Sequence, residues 1–163
     1  MKSGFVTIVG RPNVGKSTLV NALCGRKVSI VSDKPQTTRH RIMGVLTDAE
    51  TQLVFVDTPG LHKPVTALGE RVNATALDSL SDVDVVCLMV DATKKVGTGD
   101  EWVANQVDLP KAVVIVNKID RVKPEELIAQ LQRVAKWNAA EYFPVSARTG
   151  EGVTALLSYL RSR

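Results

Sequence analysis

The sequence predicts an α/β domain built on a six-stranded, mostly parallel sheet, with one antiparallel strand and with helices on both faces. Short apolar runs alternate with helical patterns along the whole chain, as they do in successive βαβ units. Residues 85–90, within a strand predicted at 83–90, are continuously apolar, which is typical of a central strand buried on both faces. The 163 residues show no internal repeat and no linker-like segment, so we expect one domain covering residues 1–163.

The elements are assigned in order along the chain. A strand at residues 5–9 is followed by a glycine-rich turn and a helix at residues 16–24. Two strands are then predicted at 41–47 and 52–56, and the turn between them is too short for a crossover, so this pair should be antiparallel. Residues 26–40 lack periodicity and are expected to form a loop. Further strands are predicted at 83–90, 112–116 and 142–145, and further helices at 67–80, 100–107, 124–137 and 153–161.

The composition argues against several classes of protein. Hydrophobic residues make up 44% of the chain and charged residues 23%, which is ordinary for a globular domain. No apolar run approaches the ~20 residues of a membrane-spanning helix, and the N-terminus enters the first strand without a signal-peptide pattern. We therefore expect a cytoplasmic protein, with peripheral association with the inner membrane left open. Cys24 and Cys87 lack metal-ligand spacing and are expected to be reduced and mostly buried.

The positive charge is modest and unevenly distributed. The net charge is +4 and the pI is about 9.2. Between residues 26 and 41, five lysine and arginine residues face a single acidic residue, Asp33. This cluster is compatible with an RNA or phosphate partner, and a solvated loop explains it equally well.

Residues 10–17 read Gly-Arg-Pro-Asn-Val-Gly-Lys-Ser, which matches the phosphate-binding pattern G-x-x-x-x-G-K-S. The glycines allow successive N–H groups to point inward at phosphate oxygens, and the loop feeds a helix N-terminus that favours an anion. Lys16 is expected to reach the β- and γ-phosphates, and Ser17 is expected to bind Mg²⁺. The predicted phosphate-binding residues are Asn13, Val14, Gly15, Lys16, Ser17 and Thr18.

A second motif, Asp57-Thr58-Pro59-Gly60, follows the strand predicted at 52–56. A carboxylate at the C-terminal end of a strand faces the crevice in which open α/β sheets bind their ligands. We expect Asp57 to hold Mg²⁺ through a water molecule and the Gly60 N–H to meet the γ-phosphate. Without the phosphate-binding loop, this sequence would indicate only a turn.

A third motif, Asn117-Lys118-Ile119-Asp120, closes the strand predicted at 112–116, and Asn117, Lys118 and Asp120 are its predicted nucleotide-binding residues. A carboxylate at Asp120 can accept both the N1–H and the 2-amino group of guanine, whereas adenine offers neither donor. Such a site rejects the wrong base by roughly 10⁴-fold. The alternative is that Asp120 only caps a helix. At the end of the next strand, the Ala147 N–H is expected to meet guanine O6, with Ser146 and Arg148 beside it.

Together, the motifs resemble those of P-loop NTPases with a Ras-like G domain, and in particular the Era family within the TrmE–Era–Der group of GTPases. The resemblance covers the whole chain and rests also on residues 36–41, Gln-Thr-Thr-Arg-His-Arg, and 57–62, Asp-Thr-Pro-Gly-Leu-His. It implies that Thr38, with Thr37 the less favoured choice, meets Mg²⁺ and the γ-phosphate. It also implies that Asn13 helps to place a potassium ion.

The resemblance implies a GTP-hydrolysing switch in small ribosomal subunit assembly, with Lys16, Thr38 and Gly60 as the catalytic residues. Leu61 occupies the position where Ras-like GTPases carry a water-positioning glutamine, so unaided hydrolysis is expected to be slow. His62 is expected to be a surface residue rather than a substitute base. Two alternatives remain open: another GTPase of the group, acting in 50S assembly or tRNA modification, and a module that holds GTP with negligible turnover.

The resemblance also concerns a region beyond this sequence. Era proteins carry a C-terminal KH domain that binds small-subunit ribosomal RNA through a Gly-x-x-Gly loop. The sequence stops at Arg163, directly after the last predicted helix. Contacts with ribosomal RNA and the ribosomal subunit are therefore expected from a domain that is not among these residues.

Overall fold

Six strands form one sheet in the part of the chain that the computed structural model describes, which comprises residues 2–11, 14–24, 41–47, 49–57, 83–105 and 107–162. The strands are β1 (Lys2–Gly10), β2 (Arg41–Thr47), β3 (Thr51–Asp57), β4 (Val85–Asp91), β5 (Val113–Asn117) and β6 (Glu141–Pro144). The helices are α1 (Lys16–Cys24), α2 (Thr98–Ala104), α3 (Pro124–Ala135) and α4 (Val153–Arg161), and short 3₁₀ turns lie at Leu109–Lys111 and Ile119–Arg121.

The strand order across the sheet is β2-β3-β1-β4-β5-β6. All neighbouring strands are parallel except β2 and β3, which are antiparallel, as the short turn between them predicts. The central strand is β1, in which Val6 lies opposite Phe55 on one side and Val85 on the other. Because β1, β3, β4 and β5 run in the same direction, their last residues meet at one edge of the sheet.

The sheet separates two hydrophobic cores, and β4 contributes to both. Cys87 and Met89 belong to the core beneath α1 and α4, whereas Leu88 and Val90 belong to the core beneath α2 and α3. Alternate residues of a strand face opposite sides, so a strand covered on both faces must be apolar throughout. The apolar run in the sequence is therefore explained by the burial of β4 on both faces. The predicted fold class is confirmed.

The observed bounds agree with the predictions for α1, β2 and α4 and differ elsewhere by a few residues. The largest shift concerns α2, predicted at 100–107, which begins at Thr98 and ends at Ala104. Its Asp100 lies in the first turn, where the carboxylate accepts a hydrogen bond of 3.0 Å from the Gly97 N–H. Asp100 is therefore the third residue of α2 and not its first. The helix predicted at 67–80 and the loop predicted at 26–40 fall outside the described residues.

Two further expectations concern the state of the cysteines and the presence of a membrane-spanning helix. Cys24 is half-buried, Cys87 is buried, and neither forms a disulfide. Burial raises the pKa of the Cys87 thiol to about 12, so this thiol stays protonated and unreactive at neutral pH. Across the described ranges, no helix combines the length and the apolar character needed to cross a bilayer.

Candidate functional site

The phosphate-binding motif connects the central strand to the first helix. β1 ends at Gly10 and α1 begins at Lys16, so the motif lies at the edge where the parallel strands end. The Lys16 side chain folds back along the loop, and its Nζ donates a hydrogen bond of 3.1 Å to the Gly10 carbonyl oxygen. The ammonium group therefore lies against the start of the loop, whereas Ser17 and Thr18 are exposed in the first turn of α1.

Both glycines of the motif are required by close packing. A Cβ atom at Gly10 would lie 2.6 Å from the Met89 carbonyl oxygen. At Gly15, φ is 105°, which disfavours any residue with a side chain, and a Cβ atom there would collide with Asn117 Nδ2. The glycine spacing of the motif thus reflects the neighbouring strands as well as the needs of a bound phosphate.

Asn117 joins the phosphate-binding loop to the loop that follows β6. Its Nδ2 donates a hydrogen bond of 2.8 Å to the Val14 carbonyl oxygen, and its Oδ1 accepts one of 3.0 Å from the Ala147 N–H. The asparagine is only 3% exposed. It was predicted to contact the nucleotide, yet both polar atoms of its side chain make bonds within the protein. The Ala147 N–H, predicted to meet guanine O6, likewise donates to Asn117 in this structure.

Asp120 is oriented by a buried serine. The Ser146 Oγ donates a hydrogen bond of 2.8 Å to Asp120 Oδ1 and accepts one of 3.1 Å from the Thr149 N–H. Ser146 is completely buried, so its hydroxyl is fixed by these two partners. One carboxylate oxygen of Asp120 is therefore anchored, which orients the other for a ligand.

Lys118 is held by a carboxylate that the sequence analysis did not assign to the site. Its backbone has the left-handed values φ 70° and ψ 32°, and its Nζ lies 2.9 Å from Asp91 Oδ2. The other carboxylate oxygen, Oδ1, accepts hydrogen bonds from the Thr93 N–H at 2.8 Å and from the Thr93 hydroxyl at 2.6 Å. Burial by itself raises the pKa of Asp91, but the bonds from Thr93 and Lys118 outweigh it and hold the pKa below its ordinary value.

Gly15, Asn117 and Asp120 line a cavity of about 310 Å³, a volume at the lower end of the range for small-molecule sites. Three of its side chains are cationic and one is anionic, which favours an anionic ligand with hydrogen-bond donors near Asp120. Arg121, which follows the third motif directly, also lines the cavity and was not predicted. The lining residues are Gly15, Thr18, Asn117, Lys118, Asp120, Arg121, Ala147 and Arg148.

The structure therefore gathers seven predicted site residues around one cavity, with Val14 in the adjoining loop and Lys16 at the start of α1. Asp57 is the last residue of β3, at the same edge of the sheet as Gly10. The predicted residues Asn13, Thr37, Thr38 and Gly60, and the neighbouring Leu61 and His62, lie outside the described residues.

A magnesium ion fits the donors at this edge. Ser17 supplies a hydroxyl oxygen, and the chain position of Asp57 offers a carboxylate; oxygen ligands of this kind suit Mg²⁺. No group of three or more His, Cys, Asp and Glu side chains that could hold a metal exists in the ranges that the structure describes.

Comparison with known proteins links these features to one family. A family model described as 50S ribosome-binding GTPase matches residues 5–118. GTPase Era of Lactobacillus delbrueckii subsp. bulgaricus is 52% identical over 166 residues, which cover 98% of this chain and 54% of the relative. GTPase Era of Mycobacterium tuberculosis is 48% identical over 165 residues, covering 97% of this chain and 55% of the relative. The chain thus spans about half the length of the curated relatives that it matches.

Solved structures of Era proteins are also similar to this chain. A variant of Era from Aquifex aeolicus bound to GDP and AlF₄⁻ superposes with a TM-score of 0.80 at 37% identity, covering 99% of this chain and 57% of that one. Era in complex with MgGDPNP and nucleotides 1506–1542 of 16S ribosomal RNA superposes with a TM-score of 0.81 at 38% identity, with the same coverage.

The lowered pKa of Asp91 gives a testable pH dependence. Because the folded pKa is depressed, the Asp91 carboxylate contributes stability fully above its unfolded pKa of about 3.9 and loses that contribution as the pH falls through the folded value. Asparagine at this position does not titrate. The difference in free energy of unfolding between the parent and Asp91→Asn should therefore be largest near neutral pH and should shrink below about pH 4. Urea denaturation at several pH values measures it, and a pH-independent difference would contradict the assignment.

Proposed function

The chain belongs to the GTPase family described as 50S ribosome-binding GTPase, and from this membership we propose that it binds GTP and GDP with Mg²⁺ and hydrolyses GTP to GDP and phosphate. The observation that carries the proposal is a cavity lined both by Gly15 of the phosphate-binding loop and by Asp120. A ligand filling it would have a hydrogen-bond donor edge at the carboxylate and its phosphates on the loop. Guanine nucleotides meet both requirements.

Base recognition is assigned to Asp120. Its carboxylate accepts the N1–H and the 2-amino N–H of guanine, and the bond from Ser146 Oγ keeps it in one orientation. Adenine would leave this carboxylate without donors, which is the costly outcome that makes such sites selective. The methylene stems of Lys118 and Arg148 offer apolar surface beside the base.

Phosphate binding is assigned to the loop and the start of α1. The backbone N–H groups from Asn13 to Thr18 and the positive end of the helix dipole face the anion. Lys16, now bonded to the Gly10 carbonyl oxygen, exchanges that partner for the β- and γ-phosphates, a stronger charge-assisted bond. Mg²⁺, held by Ser17, Thr38 and Asp57, would neutralise charge on the transferring phosphoryl group.

Hydrolysis is assigned to Lys16, Thr38 and the Gly60 N–H, which stabilise charge at the γ-phosphate in the transition state. Leu61 has no donor or acceptor with which to orient the attacking water, so turnover of the isolated chain is slow. A potassium ion at Asn13 would add positive charge beside the phosphates. Asn13, Thr38, Gly60 and Leu61 lie outside the described residues, so the roles proposed for them rest on the sequence motifs.

The cellular role proposed is a nucleotide-controlled switch in small ribosomal subunit assembly. The similarity to Era at 48–52% identity supports it, as does the 16S ribosomal RNA fragment held by one Era relative. We assign the RNA contact to a region outside residues 1–163 and expect the protein in the cytoplasm, with contact at the inner membrane periphery left open. The family description, which names the 50S ribosome, favours large-subunit assembly as the second candidate.

Single-turnover release of phosphate, with protein in excess over GTP and with Mg²⁺ and K⁺ present, tests hydrolysis. We expect slow but complete conversion to GDP. Leu61→Ala should stay within about tenfold of the parent, whereas Thr38→Ala should lose far more, because the Thr38 side chain is expected to contact the reacting groups and that of Leu61 is not. Both variants must first be shown to bind a GTP analogue. Bound GTP that releases no phosphate would leave a binding module as the function.

The same assay tests the potassium site. Replacing K⁺ by Na⁺ should slow phosphate release, and Asn13→Ala should remove the difference between the salts. Equal rates in both salts would discard the ion at Asn13 without affecting the assignment of the GTP site.

Base recognition is tested by Asp120→Asn. The substitution should weaken GTP binding and shift preference toward XTP, because the 2-oxo group of xanthine accepts a hydrogen bond where the 2-amino group of guanine donates one. Competition binding of GTP against XTP measures the shift. If the variant kept the parental preference for GTP, Asp120 would not contact the base.

A further inference from the structure

We propose that Asp91 is a positioning residue for nucleotide binding: it holds Lys118 in place as one wall of the cavity. The proposal rests on the proposed function, since it assigns a role within the same site. Asp91 ends β4 and does not line the cavity, whereas Lys118 does. Any effect of Asp91 on the nucleotide must therefore pass through another side chain.

The two oxygens of Asp91 have separate tasks. Oδ1 accepts both bonds from Thr93 and closes the turn that follows β4, whereas Oδ2 accepts the bond from the Lys118 ammonium. The Asp91 side chain is 7% exposed and that of Lys118 is 24% exposed. A pair buried to this extent is weak evidence for stability, because removing two charges from water is costly. The Asp91–Lys118 pair is better explained by its effect on the geometry of the site, where it fixes the position of the lysine side chain.

The backbone of Asp91 is fixed from below by α3. Gln130, which is 1% exposed, donates through Nε2 to the Asp91 carbonyl oxygen at 3.1 Å and to the Lys94 carbonyl oxygen at 2.8 Å. The Gln130 Oε1 in turn accepts a hydrogen bond of 2.9 Å from Arg133. Both ends of the turn are thus held by one buried amide, and the Asp91 carboxylate has little freedom to follow a moving lysine.

The turn is also joined directly to the residue before Lys118. The Ala92 N–H donates a hydrogen bond of 2.8 Å to the Asn117 carbonyl oxygen. Lys118 itself has left-handed backbone geometry, an unfavourable conformation for a residue with a side chain. The bond to Asp91 helps to hold the Lys118 side chain, which is attached to this strained backbone.

The consequence concerns the entropy of binding. A lysine side chain has four rotatable bonds, and ordering it only when the ligand arrives would weaken binding. With the ammonium tied to Asp91, the methylene stem is in place beforehand as an apolar surface for the base. Loss of Asp91 should therefore speed release of the nucleotide rather than alter the chemistry of hydrolysis.

Dissociation of a fluorescent GDP analogue from the purified chain, chased with unlabelled GDP, tests the proposal. Asp91→Ala should release the analogue about tenfold faster than the parent, and Asp91→Asn should be intermediate, because its amide oxygen still accepts from the lysine. Thr93→Val is the matched control: it removes a partner of Oδ1 and leaves Oδ2, so the rate should stay within about twofold. Circular dichroism spectra and melting curves establish that each variant is folded.

A double-mutant cycle with Lys118→Met separates positioning from a merely structural role. In the Lys118→Met background, Asp91→Asn should have no further effect on the dissociation rate, since the side chain through which it acts has lost its charge. Additive effects of the two substitutions, or a parental rate in Asp91→Ala, would overturn the proposal. Failure of the parent itself to bind the analogue would instead overturn the proposed function.

Discussion

The hydrogen bonds of the Asn117 side-chain amide are the constraint on which the site depends. One bond reaches the Val14 carbonyl oxygen in the phosphate-binding loop, and the other accepts the Ala147 N–H from the loop after β6. These loops are 30 or more residues from Asn117 along the chain, and they meet because parallel strands end at the same edge of the sheet. The amide lies so close to Gly15 that no side chain fits there. The phosphate loop and the base loop therefore behave as one unit.

Around this amide, buried polar side chains form hydrogen bonds that fix the orientation of the side chains facing the ligand. Ser146 orients Asp120, Asp91 holds Lys118, and Gln130 clamps the turn on which Asp91 lies. Each of these supporting residues is at most 7% exposed, and an unsatisfied polar group at such a position would cost about 1–3 kcal/mol. The supporting groups thus contribute rigidity, while the exposed side chains of the cavity supply the charge that attracts an anion.

The sequence predicted the fold and the motif residues well because local patterns determine them. The antiparallel β2–β3 pair follows from a short turn, and the place of each motif follows from its position at a strand end. Asp91 was missed because a carboxylate after an apolar strand is also what a turn requires, and its partner Lys118 is 27 residues away. Gln130 was missed because a glutamine in an amphipathic helix is ordinarily on the solvent face. Arg121 follows a recognised motif but no pattern marks it as a lining residue.

The most direct test of this account is the GDP affinity of Asn117→Asp, measured by titration calorimetry against the parent. Aspartate has nearly the same size and still accepts from the Ala147 N–H, but it cannot donate to the Val14 carbonyl oxygen and sets a carboxylate against it. The account predicts that the variant folds cooperatively and binds GDP at least about 100-fold more weakly than the parent. A folded variant with parental affinity for GDP would contradict the claim that this amide unites the two halves of the site.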